Sequence, residues 1–167
     1  MIQTVDFLIL DLIQNKLRCK FLDSLMIKFT SLGDGGIIWI AISFLLICYK
    51  KYRQAGILIL VSLIMGVLIG NCLLKNIICR PRPCWINRAA SLLIPIPYDY
   101  SFPSCHTMSS FIAATVLLHT DIMFAYPAFL LASVIAFSRL YLYVHYPSDI
   151  IGGIALGTII THFVCLL

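Results

Sequence analysis

"AGILILVSLIMGVLIGNCLL", residues 55–74, carries no charged side chain and runs straight into Lys75. As a helix at 1.5 Å per residue it extends about 30 Å, the thickness of the hydrocarbon core of a bilayer. The rest of the chain agrees with this stretch. It is 61% hydrophobic and only 11% charged, with a mean hydropathy of +1.00, whereas a soluble domain carries about 25% charged residues. Lipid, rather than an outsized core, accounts for the missing charge. The fold class that follows is all-α: an integral-membrane helical bundle, with one domain fitting the length of 167 residues.

Working towards the N-terminus, "IIWIAISFLLICY" (37–49) is apolar and closes at Lys50, Lys51 and Arg53. It is short for a span, so it is expected to extend back through Ser31 and Leu32 or to sit at a thin edge. "GDGG" (33–36) punctuates the chain before it. Residues 1–32 never give a long uninterrupted apolar run. They place Val5, Leu8, Ile9, Leu12, Ile13 and Leu17 on one helical face with charges opposite, the pattern of helices lying in a membrane interface. The alternative is one imperfect span that buries Asp6 and Asp11. No basic residue precedes the first apolar run and no small-residue cleavage site follows, so no signal peptide is expected.

Towards the C-terminus, apolar helices are expected at about 105–119, 122–143 and 147–167. That makes about five transmembrane helices over residues 33–167, plus the amphipathic interfacial segment 1–32. Gly66-xxx-Gly70 and Gly153-xxx-Gly157 allow close helix approach. Between the spans, residues 76–103 form the one long connection, with prolines 81, 83, 95, 97 and 103. Seven cysteines without CxxC spacing suit small buried apolar residues rather than a disulfide framework or zinc ribbon.

Alternating the helices puts the 33–36 turn, the 76–103 loop and the 143–147 turn on one face, opposite Lys50, Lys51 and Arg53. The positive-inside rule makes that opposite end cytoplasmic. Yet the first face also carries Lys75, Arg80, Arg82, Arg88 and Arg139, cations held there by function rather than by orientation. Three segments deliver polar residues to it: Lys75 with Arg82-Pro83, Pro103-Ser104-Cys105-His106, and Ser138-Arg139 with His145 and Asp149. Ionisable groups at membrane depth are costly and mark function. Lys75, Arg82 and Arg139 converging with two histidines call for an anion. No soluble basic stripe with interleaved aromatics exists, so nucleic acid is not the expected partner.

Those three segments resemble the type-2 phosphatidic-acid phosphatases, integral-membrane relatives of vanadium haloperoxidases, whose signature is K-x6-RP, then PSGH, then SR-x5-H-x3-D. The chain matches in order and spacing across residues 75–149, with Cys105 in place of the family glycine. The resemblance implies a metal-independent lipid phosphatase with no cofactor. His145 would be the nucleophile that forms a phosphohistidine, His106 the acid and then the base, and Asp149 the group that orients His145. Lys75, Arg82, Ser104, Cys105 and Arg139 would hold the phosphate.

The residues carry the same chemistry by themselves. Phosphoryl transfer is served by positioning and by stabilisation of charge on three oxygens. Arginines capture those oxygens in pairs while Lys75 acts as a point charge. Ser104, after Pro103, is expected at a helix N-cap whose N–H groups face the anion. Cysteine at 105 keeps its N–H and adds only a small side chain, whose thiol is expected to be reactive beside two arginines and a helix N-terminus.

Zinc on Cys105, His106, His145 and Asp149 is opposed by the three cations. A non-catalytic lipid-phosphate binder would not need His145 and Asp149. His119 and His162, outside the pattern, are expected to be packing or interface residues. The expected substrate is an amphiphile whose tail stays in the bilayer, met at the extracytoplasmic face of a bacterial cell membrane. Polyprenyl diphosphate ranks ahead of phosphatidylglycerophosphate and phosphatidate, and a lipid phosphotransferase would use the same phosphoenzyme. Residues 84–102 shape that choice, with Trp85, Tyr98 and Tyr100 suited to the headgroup layer.

Overall fold

The computed structural model describes residues 2–167, and all regular structure among them is helical. Ten α- or π-helical segments follow one another, with 3-10 turns at Asp34–Gly36 and Lys50–Tyr52 between them. They are α1 (Ile2–Leu17), α2 (Lys20–Leu32), α3 (Ile37–Cys48), α4 (Arg53–Gly66), a π-helical stretch (Val67–Leu74), α5 (Lys75–Ile78), α6 (Pro83–Ile86), α7 (Cys105–His119), α8 (Ala125–Tyr141) and α9 (Pro147–Cys165). Pro83 and Pro147 stand in the first turns of α6 and α9, where a missing N–H costs nothing.

α7 is the central post. Ile112, Ala113, Ala114 and Val116 are fully buried in it, and α4, α8 and α9 all pack against it. Small residues set the closeness of α9. A Cβ on Gly153 would lie 2.7 Å from the carbonyl oxygen of Ser104, and one on Gly157 2.7 Å from that of Met108. Gly66 and Gly70 give the same room to Met108 from the α4 side. α3 is tied to the post through a buried hydrogen bond, Trp39 Nε1 to Ser110 Oγ at 3.0 Å.

The expected backward extension of the 37–49 helix does not occur. Gly35 and Gly36 take φ of 59° and 68°, a left-handed conformation that glycine adopts without a Cβ penalty. α2 and α3 therefore meet at a 44° bend. This changes the span count. Two stretches are long and apolar enough to cross a bilayer, one within Lys50–Ile86 and one over Pro147–Cys165, and α2–α3 makes a third if its halves form one broken span. α8 is apolar but shorter, and the 15 residues of α7 reach only about 22 Å. Among the described residues α7 and α8 are too short to count as full spans, so two to three are found where about five were expected.

The N-terminal segment forms two helices broken at Arg18 and Cys19. Val5, Leu8, Ile9, Leu12 and Leu17 point outward, while Ile13, expected among them, is buried against Met26 and Tyr141. Asp6, expected on the polar outer face, is buried at 3% exposure. It is satisfied there by Arg80 Nη2 at 2.7 Å and by the N–H and hydroxyl of Ser148, at 3.0 and 2.6 Å.

Candidate active site

His145 lies in the turn between α8 and α9, with 1% of its surface exposed. Its Nε2 is 3.1 Å from Arg82 Nη1 and its Nδ1 is 3.4 Å from Asp149 Oδ2. Arg82 can only donate, so Nε2 carries the lone pair and the ring proton sits on Nδ1, facing Asp149. Burial, then the charges of Arg82, Arg139 and Lys75, hold the imidazole well below its ordinary value. The resting ring is neutral.

Asp149 is in the first turn of α9, and both of its oxygens are engaged. Oδ2 accepts the Tyr146 N–H at 2.9 Å and Oδ1 accepts Arg80 Nη1 at 2.6 Å. Arg80 also covers the Tyr146 ring, 4.0 Å from its centroid, and reaches Ser148 Oγ at 2.7 Å. The carboxylate that faces His145 is thus fixed by an arginine that the sequence reading left without a role.

Arg82 is almost fully buried, and each of its three nitrogens has a partner. Its Nε and Nη2 bind the carbonyl and carboxylate of Asp99, each at 2.7 Å, and Nη1 donates to the Val144 carbonyl at 2.8 Å. Lys75 pairs with the other Asp99 oxygen. Arg139, from the last turn of α8, donates to Thr30 Oγ1, while its Nε is a buried donor without a partner among the described residues.

His106, in the first turn of α7, pairs through Nε2 with Asp34 Oδ1 at 2.8 Å. Gly33 makes room for the ring, since a Cβ there would lie 2.7 Å from His106 Cδ2. Cys105 donates its thiol to Asn71 Oδ1 and to the Pro103 carbonyl. The sulfur thus has oxygen acceptors on one side, while Lys75 and Arg82 stand near enough to act on it by charge. Ser104 holds the N-cap position but makes no side-chain cap. Its buried hydroxyl accepts a hydrogen bond from Thr107 Oγ1 at 3.0 Å, and its N–H donates to the Asp149 carbonyl at 3.2 Å.

Lys75, Arg82, Cys105, His106, Arg139 and His145 line one cavity of about 990 Å³, whereas Ser104 and Asp149 stand behind its wall. Asp34, Asp99 and Asn71 line it too, and none of these belongs to the three segments singled out in the sequence. Their signals were faint: an acid between glycines, an acid in the long loop, and the lone amide of the 55–74 span. From the polar end the cavity runs down past Val67, Leu68, Ile64, Leu60, Phe44 and Ile40, a wholly apolar wall. His119 and His162 meet at the far end of α7 and α9, ring centroids 4.5 Å apart, away from this chemistry. Among the described residues no group of three or more His, Cys, Asp or Glu is arranged to hold a metal ion.

The sequence is 31% identical over 138 residues to an undecaprenyl-diphosphatase of Sulfolobus acidocaldarius, an alignment that takes in 82% of this chain and 66% of that protein's length. Among solved structures, Aquifex aeolicus LpxE superposes with a TM-score of 0.83 at 26% identity, covering 98% of this chain and 96% of that one. A transmembrane PAP2 type phosphatidylglycerolphosphate phosphatase from Bacillus subtilis gives 0.79 at 28% identity, covering 98% and 84%. The family model that matches residues 55–167, a range containing His145, His106 and every cation of the cavity, is that of the PAP2 superfamily, and the chain belongs to it.

Proposed function

We propose that this protein is a membrane lipid phosphatase, a phosphoric-ester or diphosphate hydrolase that works through a phosphohistidine on His145 and needs no metal. The observation that carries the reading is the composition of one cavity. Three cations and two histidines stand at one end, and an apolar wall long enough for a lipid chain leads away from them. The phosphate group takes the place of the Asp99 carboxylate on Lys75 and Arg82 and engages the free Nε of Arg139. Three donors around the equatorial oxygens supply the stabilisation that phosphoryl transfer asks for.

His145 Nε2 forms the P–N bond as the bond from phosphorus to the leaving oxygen breaks with its electron pair. That oxygen takes its proton from His106. Water then attacks phosphorus, gives its proton to His106, and the P–N electron pair returns to His145. Asp149, held by Arg80, keeps the Nδ1 proton of His145 in place throughout. Ser104 supports the start of α7, whose opening N–H groups lack carbonyl partners a turn earlier.

The substrate is a lipid ester, with polyprenyl diphosphate placed first because the chain resembles an undecaprenyl-diphosphatase along most of its length. Phosphatidylglycerophosphate and phosphatidate are the alternatives, together with transfer of the phosphoryl group to a second lipid. In this reading α2–α3, α4, α7, α8 and α9 form a single multi-pass domain. Its site opens on the extracytoplasmic face, and Lys50, Lys51 and Arg53 mark the cytoplasmic end. Phosphate release from a panel of these lipids by purified protein tests the proposal. His145→Ala is expected to abolish release and the acid-labile phosphoenzyme. Equal release by variant and wild type would remove His145 from the mechanism.

A further inference from the structure

The site holds two histidine–carboxylate pairs, and only one of them belongs to the three matching segments. His145 faces Asp149, which is fully buried. His106 faces Asp34, whose side chain is 62% exposed and stands in the turn between α2 and α3. The second pair joins parts of the chain 72 positions apart, so it exists only because the turn is folded over the start of α7. Two features of that turn serve the contact. Gly33 leaves the space the imidazole fills, and the left-handed Gly35 and Gly36 that follow turn the chain at α7, where a Cβ on Gly36 would lie 3.9 Å from Cβ of Ser109.

We infer that Asp34 is the positioning residue of the proton-transfer histidine: it fixes the tautomer and orientation of His106 and provides the counter-charge for its protonated form. The inference rests on the phosphatase reading above. With Nε2 committed to Asp34, Nδ1 is the nitrogen left to work on the substrate. In the acid step Nδ1–H gives its proton to the leaving oxygen, and the imidazole that remains keeps Nε2–H on the carboxylate. In the hydrolytic step the bare Nδ1 takes the proton of water and restores the imidazolium. Without Asp34 the ring is free to flip, and the charged form stands beside Arg139, Arg82 and Lys75 with no anion of its own. The two pairs thus divide the labour by environment. The closed pair keeps a nucleophile neutral, and the open pair lets a proton come and go.

The test compares two leaving groups. An alkyl phosphate needs its leaving oxygen protonated, whereas 4-nitrophenyl phosphate releases a phenolate that leaves unassisted. Asp34→Asn is expected to lower kcat on the alkyl ester roughly tenfold to a hundredfold, with a distinctly smaller loss on the aryl ester and little change in KM. Asp34→Glu should recover part of the alkyl activity. Adding Asp34→Asn to His106→Ala should cost nothing further, because both act on one proton. Equal losses on the two esters, or none, would overturn the assignment, the former by showing a merely structural turn. If wild type releases phosphate from neither ester, the phosphatase reading itself fails.

Discussion

The carboxylate of Asp99 bridges Lys75 and Arg82, two of the three cations expected from the sequence pattern to hold phosphate. Burial works against its ionisation, but the hydrogen bond from Lys75 and the charge of Arg82 outweigh it and hold the group below the usual carboxylate value. The sign is that of a paired acid. The bridge is intact at neutral and mildly acidic pH and is lost only when the pH falls below the ordinary carboxylate range. On the proposed reading, Asp99 competes with the substrate phosphate at working pH. Asp99→Asn is expected to tighten inhibition by inorganic phosphate several-fold, read as a lower Ki, and an unchanged Ki would show that the carboxylate yields without cost. At this scale the six residues that line the cavity among those expected, Lys75, Arg82, Cys105, His106, Arg139 and His145, are legible in the sequence, because their motif is local within each segment. Asp34, Asp99 and Arg80 were not assigned roles, because their partners are set by tertiary approach. Ser104 shows the limit from the other side: its position at the helix start was legible, but not the rotation of its hydroxyl towards Thr107.

Among the elements, α1 and α9 meet through a buried polar cluster beside the edge-on contact of Phe7 with Tyr146. Asp6 accepts the Ser148 N–H in the first turn of α9 and pairs with Arg80, which holds Asp149 with its other nitrogen. α1 is thereby linked to His145 through Asp6, Arg80 and Asp149. Asp6→Ala removes one partner of a buried ion pair together with an N-terminal acceptor of α9. It is expected to cost about 3 kcal/mol, seen as a fall in Tm in detergent, with a parallel loss of activity. A normal Tm and normal turnover would mean that α1 only lies against the bundle. The helices themselves were largely legible, because apolar runs bounded by Pro103, Pro147 and the 50–53 cations have clear ends. The breaks were less so. Arg18 and Cys19 carry no glycine or proline to announce one, and "GDGG" announces a break without giving its angle.

At the scale of the whole molecule, the cavity joins two environments. Its polar end lies at the heads of α7 and α9. Its apolar wall follows the α4 side from Lys75 back to Leu60, about 22 Å at helical rise, over half the depth of a hydrocarbon core. α3 and α4 pack tightly at the other end, where a Cβ on Gly56 would lie 2.5 Å from the Ser43 carbonyl. Ile40 and Phe44 of α3 and Leu60 and Ile64 of α4 line the cavity. Hydropathy located these helices but could not say which of their apolar residues face lipid, which the core and which the cavity. Val67 is half exposed and lines the cavity, so a larger side chain there fills the path without crowding the core. Val67→Trp is expected to lower kcat/KM for a long-chain lipid phosphate at least tenfold through KM, in proportion to about 1.4 kcal/mol of lost chain binding. Hydrolysis of 4-nitrophenyl phosphate, which has no chain to seat, should stay close to wild type. A uniform loss on both substrates would place the lipid chain elsewhere and leave this wall a packing surface.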